Sequence, residues 1–158
     1  MKRETYETVH AQLRSLLEEC AGPVSAMATT VALLHTSFDH YVWTGFYLAA
    51  RDGSGDLIVG PYQGPLACQR IPRGRGVCGA AAERRETILV PDVHAFPGHI
   101  ACSSDSRSEI VVPLVVGGVV AGVLDVDSDR TDAFDDVDRL GLERAVGLLI
   151  DSGNLVPE

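Results

Sequence analysis

The sequence has no long apolar run, and basic residues are scarce in it. No stretch approaches the roughly 20 apolar residues that cross a membrane, and residues 1–20 carry charges throughout. We therefore expect neither a secretory leader nor a membrane anchor, and predict a cytoplasmic location. Lys and Arg number 13 against 22 Asp and Glu, for a formal net charge of −9. Binding to a phosphate backbone requires a basic face, so nucleic acid is not an expected partner.

The composition is that of a folded protein with one core. Hydrophobic residues make up 46% of the 158 residues, which is enough apolar surface to offset the entropy lost on folding. A chain of this length is close to the commonest domain size. We predict a single domain over residues 1–158.

The apolar pattern predicts helices at both ends of the chain. A first helix ends at the break formed by Gly22 and Pro23, with Cys20 as a small core residue, and a second helix starts at Pro23 and runs toward Asp39. A last helix begins at Asp136, capped by Asp135. The apolar residues expected on or near its buried face are Val137, Leu140, Ala145, Leu148 and Leu149.

The middle of the chain predicts strands joined by hairpins. Strands are expected at residues 41–49 and 57–62, and two more flank Gly117 and Gly118, which accept the positive φ of a hairpin turn. A short helix over 77–85 and a strand over 87–92 lie between these hairpins. Since no regular alternation of strand and helix is present, we predict an α+β fold with an antiparallel sheet.

Three of the four cysteines fall in the middle of the chain, at Cys68, Cys78 and Cys102. In a reducing compartment such cysteines are more often reactive or metal-binding than structural disulfides. Cys102 lies in a long segment without clear period, residues 93–108, where a sulfur can be approached and can move. Cys78 lies at a helix start, which can lower a thiol pKa. Both remain candidate nucleophiles.

Two carboxylates, Asp125 and Asp127, alternate along one predicted strand. Residues two apart leave the same face of a strand, roughly 7 Å from one another. When two carboxyls lie this close, the charge of one raises the pKa of the other, especially when both are shielded from water. Trp43 and Tyr47, four apart in another strand, also share a face.

Three segments carry a resemblance to a known family: GPLACQRIPRGRGVCG, LVPDVHAFPGHIACSSDSRSEIVVPL and GVLDVDS. They resemble the GAF-domain free methionine-R-sulfoxide reductases. The resemblance implies a GAF fold, with about six antiparallel strands, terminal helices on one face of the sheet, and loops and short helices over the other. It also implies a substrate site formed by Trp43, Tyr47, Glu109, Asp125 and Asp127.

The resemblance further implies a thiol mechanism that needs no bound cofactor or metal. Cys102 matches the attacking position and Cys68 the resolving position, which implies a Cys68–Cys102 disulfide reduced by thioredoxin. The role of Cys78 stays open, because three thiols allow more than one exchange route. A homodimer is also expected from the family.

The expected convergence of the three acids conflicts with a regular hairpin. A symmetric turn at Gly117 and Gly118 pairs Ile110 with Asp125 and sends Glu109 to the opposite face. We therefore predict a register shift, with Pro113 as a plausible place for a bulge.

Three other functions are alternatives to the reductase. One alternative is a zinc site formed by the three cysteines with His94 or His99, which the missing tight cysteine pairs disfavour. These histidines are otherwise expected to serve loop hydrogen bonds. A redox or ligand sensor is the main alternative class. Sensor modules are usually joined to an output domain, and we do not expect one in this chain. The third alternative is a reductase that acts on methionine sulfoxide within proteins. The three acids suit a small zwitterionic substrate better than a peptide, because a peptide residue has lost its free ammonium group to an amide bond.

Overall fold

The computed structural model describes residues 1–100 and 105–155. The elements of secondary structure follow in chain order: α1 Lys2–Glu19, α2 Pro23–Ser37, β1 Tyr41–Ala49, β2 Leu57–Gln63, β3 Arg70–Ile71, α3 Gly76–Arg84, β4 Ile88–Val90, a 3-10 turn at Val93–Ala95, β5 Ser108–Val116, β6 Val119–Ser128 and α4 Asp136–Asp151. Only the two-residue β3 and the 3-10 turn have no counterpart in the sequence prediction. Within the described residues, no helix is both long enough and apolar enough to cross a membrane.

The six strands form one sheet in the order β3-β2-β1-β6-β5-β4. Every pair of neighbours is antiparallel. The predicted α+β class with a six-stranded antiparallel sheet is confirmed. Strands β1 and β6 lie at its centre, so their side chains are the best shielded from water.

The two faces of the sheet carry different layers. Helices α1, α2 and α4 cover one face with the larger core cluster, which includes Leu13, Phe46 and Leu142. Helix α3 and the 3-10 turn lie over the other face, where a smaller cluster includes Trp43, Tyr47 and Cys78. The terminal helices therefore occupy one face, as predicted, and leave the second face to loops and a short helix.

Local signals set the limits of α2 and α4. Pro23 is the first residue of α2, where its missing N–H and fixed φ suit the helix. Asp135 caps α4, because its carboxylate accepts hydrogen bonds from the backbone N–H groups of Val137 and Asp138. The predicted start of each helix is therefore confirmed.

The burial of two residues differs from the prediction. Leu140 is 67% exposed, whereas Leu142 and Val146 are buried, because the buried stripe of α4 runs one position away from Leu140. Cys20 is half-buried rather than fully enclosed. It lies at the end of α1, packed against the edge of the larger cluster.

The β5–β6 hairpin contains the predicted register shift. Val116 faces Val119 and Val115 faces Val120, but Leu114 faces Gly122, so that Ala121 is an extra residue in β6. The location at Pro113 was wrong, since Pro113 pairs regularly with Val123. The bulge instead lies beside Gly122, where the Tyr47 carbonyl of β1 approaches so closely that a Cβ would meet it at 2.3 Å. A glycine at such a close approach is typical of a bulge.

Candidate active site

The register shift places three carboxyls on one face of the sheet. Beyond the bulge, Glu109 faces Asp127 and Val111 faces Asp125. Since side chains alternate along a strand, Glu109 joins Asp125 and Asp127 on the face covered by α3. Each of the three is more than nine-tenths buried. The strand positions thus bring together the acids that the sequence left on opposite faces.

Burial is the largest cause that raises the pKa of all three carboxyls. The charge of Asp127 raises the pKa of Asp125 further, the charge of Asp125 raises that of Glu109, and the charge of Glu109 raises that of Asp127. Like charges this close in a shielded site cannot all ionise together. The site therefore retains a protonated carboxyl at a pH where an exposed acid is ionised.

Helix α3 places Cys78 against these acids. The chain enters α3 through Gly76, which has a φ of 62° that a side chain disfavours. The Sγ atom of Cys78 lies 4.0 Å from Oε1 of Glu109. Burial and the three carboxylates raise the pKa of the Cys78 thiol well above its ordinary value. The expectation that the helix start lowers this pKa was wrong, because these two effects outweigh the helix terminus.

The aromatic residues form a wall opposite α3. The rings of Trp43 and Tyr47 stack with centroids 5.7 Å apart, and Tyr62 stacks on the other side of Trp43 at 5.2 Å. Gly45 lies between Trp43 and Tyr47 on the same face, and a Cβ there would lie 2.5 Å from the indole. The absence of a side chain at Gly45 therefore allows the indole to take its place in the wall.

Two hydrogen bonds fix this wall to the segment that carries Cys68. Nε1 of Trp43 donates to the Pro65 carbonyl at 3.1 Å. The Tyr47 hydroxyl donates to the Cys68 carbonyl at 2.9 Å. Cys68 itself is disulfide-bonded, whereas Cys20 and Cys78 are free. Cys102 lies outside the described residues.

One pocket contains six of the eight residues proposed from the sequence: Trp43, Tyr47, Cys78, Glu109, Asp125 and Asp127. Its lining combines an aromatic side with an acidic side. Such a pocket suits a small ligand that has an apolar end and a cationic or hydrogen-bond-accepting end.

Three further polar residues line the pocket that the sequence analysis did not place in the catalytic or substrate-binding set: Arg75, His99 and Ser106. His99 was left to loop hydrogen bonding, but its Nε2 lies 3.9 Å from Oε2 of Glu109. Burial lowers the pKa of His99 while it raises that of Glu109. A hydrogen bond from Ser106 opposes the raised pKa of Asp127. The sequence signal for His99 is its position three residues before the candidate nucleophile Cys102.

The family described as GAF domain matches residues 7–150. The chain belongs to the GAF domain family. A free methionine-R-sulfoxide reductase of Escherichia coli is 43% identical to this GAF domain over 94% of the chain and 88% of that protein. GAF domain-containing protein A of Dictyostelium discoideum is 47% identical over 94% of the chain and 92% of its own length.

A solved structure is similar to this GAF domain along nearly its whole length. The crystal structure of free methionine-R-sulfoxide reductase from Neisseria meningitidis, in complex with its substrate, is 45% identical and has a TM-score of 0.92. The match covers 96% of this chain and 90% of that one. The family resemblance noted in the three sequence segments is thus confirmed.

Proposed function

We propose that this GAF domain reduces free L-methionine-R-sulfoxide to L-methionine. The observation that carries the proposal is that stacked aromatic rings, three buried carboxyls and a thiol line one pocket. Relatives that match along most of the chain are free methionine-R-sulfoxide reductases, which supports the same activity here.

The pocket provides a partner for two groups of the substrate. An ionised carboxylate among Glu109, Asp125 and Asp127 binds the ammonium group, and a protonated one donates to the sulfoxide oxygen. The raised pKa values of these residues support a mixed protonation state. Trp43 and Tyr47 contact the S-methyl end, where sulfur–aromatic contacts are favourable.

The redox steps use two thiols. The Cys102 thiolate attacks the sulfoxide sulfur while a protonated carboxyl donates to the oxygen. The oxygen passes to the cysteine sulfur, which yields methionine and a cysteine sulfenic acid. The Cys68 thiol then attacks this sulfur, water leaves, and a Cys68–Cys102 disulfide forms. Thioredoxin reduces it by thiol–disulfide exchange. The disulfide bond at Cys68 and its link to Tyr47 support a redox role beside the pocket.

Cys78 is assigned a secondary role in exchange rather than the attack. Its thiol is buried, and its pKa is raised well above the ordinary value. Because the thiolate is the nucleophile, these two properties disfavour Cys78 as the attacking residue.

The location, reductant and oligomeric state of the enzyme are also part of the proposal. We place it in the cytoplasm, as one GAF domain over residues 1–158 without a bound cofactor, with thioredoxin as external reductant and a homodimer as its assembled form. Light scattering on the purified protein tests the dimer, and a mass of one chain would contradict it.

Thioredoxin-coupled oxidation of NADPH tests the activity. The assay compares free methionine-R-sulfoxide, the free S diastereomer and a peptide that contains methionine sulfoxide. We expect turnover with the free R form alone, because the acids need a free ammonium group. Cys102→Ser is expected to abolish turnover and Cys20→Ser to retain it. Absence of turnover with the free R form would favour the sensor alternative, and turnover of the peptide would favour a protein-acting reductase.

A further inference from the structure

Three donor atoms from three different elements converge at one end of the pocket. Cys78 of α3, Glu109 of β5 and Asp125 of β6 each offer one atom, a sulfur or a carboxylate oxygen, and these atoms all lie within 4.8 Å of one another. All three side chains are more than nine-tenths buried. The cluster therefore offers one soft and two hard ligand atoms in a shielded place, and these groups release their protons when a cation binds.

The separation of Cys78 and Glu109 is close to that of two ligands around a tetrahedral zinc ion. Bonds of about 2.3 Å to sulfur and 2.0 to 2.2 Å to oxygen place ligand atoms about 3.4 to 3.7 Å apart. Sγ of Cys78 lies 4.0 Å from Oε1 of Glu109. A contraction of about 0.4 Å brings this pair to the separation found around zinc. The other two pairs lie within 4.8 Å, so they close by at most about 1.4 Å to form three bonds and leave a fourth position for water.

A separate observation also points to a missing ligand. The Asp125 carboxyl interacts with Glu109 and Cys78, but its Oδ1 atom is buried and has no hydrogen-bond partner among the described residues. Buried carboxylate oxygens without a partner are rare because they lose their hydration. Asp125 lines the pocket, so an entering cation would reach this oxygen and satisfy it.

We infer that Cys78, Glu109 and Asp125 bind a soft divalent cation of the zinc type. The set differs from the zinc site considered from the sequence, since it needs neither Cys68 nor Cys102. A cation held there occupies the acidic side of the pocket and excludes an organic ligand with an ammonium group. The inhibition that follows rests on the proposed function, but binding of the cation does not.

Cadmium is the probe, because a cadmium–thiolate bond gives a charge-transfer band in the ultraviolet. A Cys68→Ser/Cys102→Ser background leaves Cys20 and Cys78 as the thiols of the chain, and lacks both proposed redox cysteines. Titration is expected to give the band at one equivalent of Cd²⁺. Adding Cys20→Ser is expected to preserve the band and the affinity. Loss of the band in that variant, or no band in the background, would overturn the inference.

Two ligand variants complete the test. Cys78→Ser is expected to remove the band, and a persistent band would overturn the site. Asp125→Asn retains the thiol and replaces the unpartnered oxygen, so Cd²⁺ is expected to bind at least tenfold more weakly by calorimetry. Unchanged affinity in folded Asp125→Asn, judged by circular dichroism, would also overturn it. Because these readouts need no turnover, they are independent of whether the reductase proposal holds.

Discussion

The carboxyl of Asp125 lies in the pocket at 6% exposure, two residues along β6 from Asp127, which faces Glu109. Burial raises its pKa, and the charge of Asp127 raises it further. The folded state therefore retains a proton that the unfolded chain releases near pH 4. The free energy of unfolding consequently falls as pH rises from about 4 toward the raised folded-state pKa, since the folded state binds more protons in that window.

Asp125→Asn is expected to increase the free energy of unfolding at pH 7 by about 1 to 2 kcal/mol, because the amide needs no proton to remain neutral. The gain should disappear below pH 4, where both states of the wild type are protonated. Urea unfolding at pH 3.5 and pH 7 measures the difference. Asp129→Asn, at an exposed position just after β6, is the control, with a change below about 0.5 kcal/mol. An equal gain at both pH values would contradict the argument.

The Tyr47 hydroxyl joins the aromatic wall to the Cys68 segment by one hydrogen bond. Tyr47→Phe retains the ring that stacks on Trp43 and removes this bond. We expect kcat/KM for free methionine-R-sulfoxide to fall about tenfold, as the loss of a hydrogen bond of about 1.4 kcal/mol would give. Steady-state kinetics measure the change, and Tyr62→Phe, on the outer side of Trp43, is the matched control. An unchanged kcat/KM in Tyr47→Phe would show that this bond does not position the site.

At the scale of elements, helix α4 contains two glycines in opposite surroundings. Gly141 packs on Tyr6 of α1, where a Cβ would lie 2.5 Å from the ring. At Gly147, apart from its chain neighbours and the backbone of α4, no atom of the described residues lies within 4 Å of the Cβ position. Helix propensity favours alanine at both positions by about 1 kcal/mol, so packing alone separates them.

Gly141→Ala is expected to destabilise the protein by about 1 to 3 kcal/mol, because the methyl group would push α1 away from α4. Gly147→Ala is expected to stabilise it by about 0.5 to 1 kcal/mol. Thermal and urea unfolding of the two variants provide the comparison. Destabilisation of equal size in both would mean that the contact between α1 and α4 is not tight at Gly141.

At the scale of the whole molecule, a buried polar network joins the layer of terminal helices to the sheet. The Tyr6 hydroxyl donates to Oδ1 of Asp138 at 2.8 Å and lies 2.6 Å from the Tyr41 hydroxyl. Lys2 donates to Oδ2 of Asp138 at 2.6 Å. The network therefore joins α1, α4 and β1, far from the pocket and on the opposite face of the sheet.

Tyr6→Phe is expected to lower the free energy of unfolding by about 1 to 3 kcal/mol, since it leaves buried partners without a hydrogen bond. The reductase kcat/KM should stay unchanged, because the described hydrogen bonds of this network involve Lys2, Tyr6, Tyr41 and Asp138 and none of the residues that line the pocket. Unfolding and steady-state assays on the same preparation measure both. Thr8→Ala, at an exposed position of α1, is the control, and a matching loss there would contradict the role of the network.

Features that depend on local chemistry could be predicted from the sequence. Pro23 and Asp135 determine where α2 and α4 begin, because a missing N–H and a capping carboxylate act within one helical turn. Asp125 and Asp127 share a face because alternation along a strand is a local property. Trp43 and Tyr47 share a face for the same reason.

Tertiary structure alone decided how these local pieces meet. Glu109 reaches Asp127 because Ala121 bulges out of β6, and the place of that bulge depends on the approach of β1 to Gly122. The pKa of Cys78 rises because the thiol is buried and because acids from two strands lie against α3. His99 lines the pocket, where its Nε2 lies 3.9 Å from Oε2 of Glu109. Each of these outcomes depends on residues distant in sequence, whose positions follow from packing and not from local propensity.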